Sequence, residues 1–269
     1  MVKCIFTDPQ KNETHMNNRW NLNNKKALIT GGTKGIGASI AKEFIELGAH
    51  VTVVARNEND FKHFEKEISP KGKISFIQAD ISQLNEIEKI IKIIKEQWGE
   101  LDVLVNNAGM NIRKKTIEYT NDEYEQILHT NLRSAFELSK KAYPLLKKSK
   151  QGNIVNIASV AGQTHLRTGA IYGMTKAAMI QLTKNLAGEW AADGIRVNAV
   201  APWYIKTPLA ETVLKNKNYY HEVISRTPLQ KIGEPEDVAA TVAFLCMPAA
   251  AFITGQCISV DGGFMIYGF

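Results

Sequence analysis

From Lys26 onward the chain alternates short apolar runs with longer segments in which apolar residues recur every three or four positions. The short runs cover residues 27–30, 51–54, 74–78, 103–106, 154–158, 197–200 and 257–260. They are bounded by glycine or polar residues and several are β-branched, the signature of buried strands. Between them, Ile36, Ile40, Phe44 and Leu47 keep a helical spacing until Gly48 supplies a stop, and Ile87, Ile90, Ile91 and Ile94 line one side of a helix predicted over 84–98. This alternation predicts βαβ units, a parallel sheet wound in both directions with helices on both faces. In that α/β architecture ligands bind beyond the carboxyl ends of the strands. The glycine loop at Gly31, Asn107, Ser159 and Pro202 each follow a predicted strand and are expected to meet in one crevice.

The first strand runs into Gly31-Gly32-Thr33-Lys34-Gly35-Ile36-Gly37, and a helix begins inside those glycines. The free N–H groups of such a helix start form a seat for a pyrophosphate, and glycine lets backbone approach phosphate closely. Strand before and helix after make this a dinucleotide site. The fold is therefore a single-domain, Rossmann-type, doubly wound sheet over residues 20–269, preceded by a polar tail, 1–19, expected to be disordered. At the end of the second strand an NAD site commonly carries an acid for the ribose 2′-hydroxyl. This chain has Ala55 and then Arg56. Arg56 and Lys34 are candidates to grip a 2′-phosphate, so NADP(H) is favoured over NAD(H).

A second constellation bears on chemistry. Ser159 precedes Tyr172 by thirteen residues, and Lys176 follows Tyr172 at i+4, on the same helical face. A tyrosine titrates near ~10, and a neighbouring ammonium is expected to lower that value. A serine hydroxyl nearby can hold a substrate oxygen. The three residues suit proton transfer to a carbonyl.

Taken together and in this order, Thr30-Gly31…Gly35-Ile36-Gly37, Asn106-Asn107-Ala108-Gly109, Asn131, Ser159 and Tyr172…Lys176 resemble the classical short-chain dehydrogenase/reductase family. The resemblance extends from Trp20 to Phe269. It is nearest the tropinone reductase-like branch through the runs at 142–147, 244–250 and 261–264. It implies that Tyr172 donates the proton, Ser159 positions the carbonyl, Lys176 contacts the nicotinamide ribose and Asn131 holds a relay water. It further implies cofactor contacts from Gly31, Thr33, Lys34, Gly35, Ile36 and Gly37, from Asp80 and Ile81 at the adenine, and from Asn107, Ala108 and Gly109 behind the cofactor. Pro202, Ile205 and Thr207 match the loop that touches the carboxamide and pyrophosphate. One departure stands out: after Pro202 the family usually has glycine, and this chain has Trp203. The indole either packs outside the loop or walls the pocket.

Composition changes little. The net charge of +6, from 33 basic and 27 acidic residues, is accounted for by solvated lysines such as Lys89, Lys92 and Lys95, and no nucleic-acid motif accompanies it. No stretch approaches a membrane span, and 1–24 lacks the apolar core of a signal peptide. The three cysteines, Cys4, Cys246 and Cys257, have neither disulfide arithmetic nor metal spacing. A cytoplasmic location follows, with translation from Met1 or Met16. Residues 204–232, with Leu209, Val213, Tyr219 and Val223, are expected to cover the substrate. The expected activity is reversible reduction of a small ketone to a secondary alcohol. The rivals are a 3-oxoacyl-carrier-protein reductase, a sugar or keto-acid dehydrogenase, and a catalytically silent NADP-binding regulator. The family resemblance and the apolar segment Phe264-Met265-Ile266-Tyr267-Gly268-Phe269 together suggest a homotetramer.

Overall fold

The computed structural model describes residues 19–68 and 73–267. Seven strands form one sheet in the order β3-β2-β1-β4-β5-β6-β7, and every neighbouring pair is parallel. The strands are β1 (Lys26–Thr30), β2 (His50–Ala55), β3 (Lys73–Gln78), β4 (Val103–Asn106), β5 (Asn153–Ile157), β6 (Arg196–Pro202) and β7 (Cys257–Val260). Each predicted run is a strand, with ends displaced by at most two residues. The expected tail falls almost wholly on residues outside those described.

Both faces of the sheet are covered, which is why the strands read as continuous apolar runs. Side chains alternate across the pleat. Ala27 and Ile29 of β1 and Val103 and Val105 of β4 enter one core with Ile40 and Phe44 of α1 (Gly35–Glu46), Phe64 of α2 (Glu58–Glu67), and Val238 and Val242 of α9 (Pro235–Cys246). Leu28 and Leu104 point the other way. They meet Ile87, Ile90 and Ile94 of α3 (Leu84–Trp98), Leu138 and Leu145 of α5 (Ser134–Lys148), and Leu186 of α6 (Ala170–Trp190). The isoleucine stripe seen in the sequence is thus the buried face of α3, fully so at Ile87, Ile90 and Ile94. Gly99, at φ 70°, ends that helix in the left-handed conformation.

Sheet order reverses direction between β1 and β4, which opens a crevice over their carboxyl ends. Two short helices, α7 (Pro208–Leu214) and α8 (Lys217–Ser225), lie after β6. They gather Tyr204, Ala210, Val213, Leu214, Tyr219, Val223 and Ile232 into a small apolar cluster of their own. The apolar residues of 204–232 therefore pack mainly on one another, and Leu209 and Ala210 reach the crevice.

Candidate active site

The crevice begins at the β1–α1 turn. Gly31 takes φ 64° and Gly35 φ 53°, and at Gly37 a Cβ would lie 2.1 Å from the Gly31 carbonyl oxygen. Only glycine permits that approach. Asn107, just after β4, closes the turn from the far side: its Nδ2 donates to the Thr30 oxygen (2.8 Å) and the Gly31 oxygen (3.1 Å). The Thr30 hydroxyl accepts in return from the Asn107 and Ala108 amides at 3.0 and 3.1 Å. No side chain caps the start of α1, and no acid occupies its first turn, so the helix offers its N–H groups and positive end to an anion. The chain fits a dinucleotide here because its backbone has already been brought as close as glycine allows.

A cavity of about 640 Å³ runs from this turn to the end of β5 and β6. Gly31, Thr33, Lys34, Gly35, Ile36, Gly37, Arg56, Asp80, Ile81, Asn107, Ala108, Gly109, Ser159, Tyr172, Lys176, Pro202, Ile205 and Thr207 all line it. Asn131 does not: it is fully buried behind the wall. It lies in a π-helical turn, His129–Arg133, between α4 (Asn121–Leu128) and α5. Its Oδ1 accepts from the Met110 amide (2.8 Å), and its Nδ2 donates to the Met110 oxygen (2.9 Å) and the Thr175 hydroxyl (3.3 Å). Most of the amide's bonding capacity is thus spent on the Met110 backbone and Thr175.

At the adenosine end, Lys34 is bound at 2.8 Å to Asp60, in the first turn of α2. Of the two cations expected at a 2′-phosphate, Lys34 thus has an acid partner and Arg56 is exposed. Asp80 accepts from the Ser82 amide at 2.9 Å, a turn contact, while still facing the cavity.

At the other end, Ser159 follows β5 and caps a short 3-10 turn, Val160–Gly162, its hydroxyl accepting from the Ala161 amide at 3.1 Å. That turn presses on α6 so closely that a Cβ at Gly162 would lie 2.6 Å from the Lys176 carbonyl carbon. This contact brings Ser159 to Tyr172. Burial pushes the half-buried Tyr172 hydroxyl above its usual value, while its hydrogen bond with Ser159 and the charge of Arg113 act downward. Lys176 lies one turn further along α6. The amine donates to the Ile157 oxygen at 2.7 Å, lies 5.7 Å from the Tyr172 ring centre, and is itself lowered to about 8 by burial. Spacing correctly put the two residues on one face; the β5 carbonyl decided where the ammonium points.

This gives a stability signature. Lys176 is 3% exposed, and its folded pKa of about 8 lies below the ordinary lysine value of 10.5. Between those values the unfolded chain binds the extra proton, so stability rises with pH across that window. Relative to Lys176→Met, which carries no titrating group, the native protein should gain about 3 kcal/mol from pH 7.5 to 10.5. Urea midpoints of both proteins at each pH would measure it; parallel curves would refute it.

Trp203 both packs and lines. Its indole stacks on Phe264 with ring centres 3.8 Å apart and planes at 8°, meets Tyr204 edge-on at 4.6 Å, and donates from Nε1 to the Thr227 hydroxyl at 3.1 Å. It also faces the cavity. Tyr204 in turn shares a hydrogen bond with Tyr219, the oxygens 2.6 Å apart. Met110, Asn111, Gln126, Thr130, Leu166 and Thr168 line the cavity as well. Sequence reasoning did not nominate them, and only the clustering of 110–113 directly after the Asn107-Ala108-Gly109 loop could have flagged any.

Among the described residues no helix is long and apolar enough to cross a membrane. A family model described as Enoyl-(Acyl carrier protein) reductase matches residues 31–265. A tropinone reductase homolog of Arabidopsis thaliana is 51% identical over 253 residues, spanning 93% of this chain and 96% of the relative. A gluconate 5-dehydrogenase from Burkholderia cenocepacia, solved with NADP and tartrate, superposes with a TM-score of 0.88 at 29% identity, covering 94% of this chain and all of that one. A 7α-hydroxysteroid dehydrogenase solved with NADH and 7-oxo glycochenodeoxycholic acid gives 0.87 at 32% identity, over 92% and 96% of the two chains. With the glycine turn, the seven-stranded sheet and these relatives all in agreement, the chain belongs to the short-chain dehydrogenase/reductase family of oxidoreductases, which act on alcohol and carbonyl groups.

Proposed function

We propose that the protein is an NADP(H)-dependent carbonyl reductase that interconverts a ketone and a secondary alcohol, with Tyr172 as general acid and base. The observation carrying this reading is that one cavity holds the glycine turn at one end and Ser159, Tyr172 and Lys176 at the other. Bound along it, the dinucleotide supplies the hydride. The Ser159 hydroxyl donates to the carbonyl oxygen and stabilises charge developing there, and Tyr172 passes its proton to that oxygen. Lys176, with N–H groups on the Ile157 oxygen and the Met179 sulfur, keeps a third donor for the ribose. Asn131 holds Met110, and through it the wall beside Lys176; a Cβ on Gly109 would sit 3.3 Å from the Asn131 oxygen and 3.6 Å from the Lys176 amine. Residues 204–232 serve as the cover of the substrate end.

Arg56, exposed and without an acid partner among the described residues, is the principal 2′-phosphate ligand, and Lys34 joins it once the phosphate competes with Asp60. The described cysteines, Cys246 and Cys257, are free thiols, consistent with the reducing cytoplasm. The exposed Ile266 and Tyr267 beside Phe264 suit a subunit contact in a homotetramer, which light scattering reads directly.

The test follows oxidation of NADPH and of NADH across cyclic ketones, keto acids and a 3-oxoacyl ester. NADPH is expected to be preferred, and Arg56→Ala to lower that preference by roughly 10–100-fold, the worth of a charged hydrogen bond. Preference for NADH would overturn the cofactor assignment and make Asp60 the acceptor of a ribose hydroxyl. Cofactor binding without turnover on any substrate class would favour a regulator.

A further inference from the structure

We infer that Arg113 is a specificity-determining residue that seats a negative charge on the substrate, so that the preferred ketone is an oxo-acid or a similarly anionic carbonyl compound. This rests on the carbonyl-reductase reading above. Arg113 lies on the loop between β4 and α4 and lines the cavity at the Tyr172 end. Its charge is felt by both tyrosine hydroxyls there, Tyr172 and Tyr204. Its Nε is buried and has no hydrogen-bond partner, and the same holds for Oδ1 of Asn111 two residues earlier, whose Nδ2 is tied to the Thr168 oxygen at 2.9 Å.

The surrounding cations differ from it in one respect. Lys114 is paired with Glu123 and Arg167 with Glu222, whereas no carboxylate pairs with Arg113 among the described residues. The acids that line the cavity are Asp60 and Asp80, both at the adenosine end, with Asp60 already bound to Lys34. A guanidinium partly withdrawn from water without a counter-charge loses solvation that an incoming anion restores. Its planar fork suits a carboxylate, which it binds with two parallel charge-assisted bonds. The same charge works against a cationic ketone, since among the described residues no acid lines that end of the cavity to offset the repulsion. Asn111 Oδ1, a free acceptor beside it, can take a hydroxyl of the same substrate.

The experiment compares three ring ketones of similar size: 4-oxocyclohexanecarboxylate, 4-methylcyclohexanone and 1,1-dimethyl-4-oxopiperidinium. The native enzyme should rank them by kcat/KM as anionic, neutral, cationic. Arg113→Gln should cut the anionic-to-neutral ratio by roughly 10–100-fold, chiefly through KM, and raise the cationic-to-neutral ratio. Arg113→Lys should restore part of it. Equal losses on all three ketones, or a changed pH profile without a changed ratio, would overturn the inference and make Arg113 a residue acting on Tyr172.

Calorimetric binding of the unreactive cyclohexanecarboxylate separates this inference from the reading beneath it. If no ketone turns over but Arg113→Gln abolishes that binding, the reductase reading fails and the anion seat stands. If the two proteins bind it equally, or neither binds it, the seat fails.

Discussion

Tyr172→Phe is expected to lower kcat by about 10³-fold, within the range that a positioned acid–base group supplies. The substitution removes one oxygen from a half-buried ring and the hydrogen bond it shares with Ser159, and leaves the Ser159 turn, the β5 carbonyl and Lys176 in place. NADPH affinity should therefore change far less than turnover. Stopped-flow single turnover and fluorescence titration of the cofactor would separate the two. A variant retaining kcat within threefold would eliminate Tyr172 as the proton donor and leave the cavity without an evident one.

Gly37→Ala is expected to abolish measurable cofactor binding and to cost about 1–3 kcal/mol of stability, the usual penalty for forcing extra volume into closed packing. The added carbon would fall 2.1 Å from the Gly31 oxygen and 2.4 Å from Asn107 Nδ2, so the turn and its Asn107 brace must separate. Thermal melts with and without NADPH test both halves. A variant that melts near the native temperature and still gains stability from NADPH would show that the turn is softer than its geometry suggests. At Gly31 and Gly35 the positive φ would strain the backbone of any replacement; at Gly37 the obstacle is a neighbouring backbone oxygen.

Much of this was readable before any coordinates, because periodicity and glycine spacing are local signals. The isoleucines of α3, the ends of all seven strands to within two residues, and the common face of Tyr172 and Lys176 follow from repeat lengths and helical geometry. What escaped was decided by long-range approach. Asp60 reaches Lys34 only because α2 folds back over the first turn after β2. The Lys176 amine turns to Ile157, nineteen residues away, because β5 presents a carbonyl there. The neighbours Arg113 and Lys114 read alike in sequence; the structure gives one to Glu123 and leaves the other facing the cavity. Asn131 was found by resemblance and placed behind the wall by a π-helical turn that no propensity foretold.

The stack of Trp203 on Phe264 carries a consequence for the order in which the molecule can fold. Trp203, which lines the substrate end, is held by the Phe264 ring beyond β7 and by the Thr227 hydroxyl. The cofactor helix α1 is likewise backed by α9, nearly two hundred residues downstream, with Ser39 bonded to Glu236 at 3.0 Å. β1 to β5 and every glycine of the turn come early in the chain, yet the buttress of α1 and the residues that hold Trp203 all lie after β6. Closure must wait for contacts of very large sequence separation, which makes folding slow and prolongs exposure of the sheet's apolar faces.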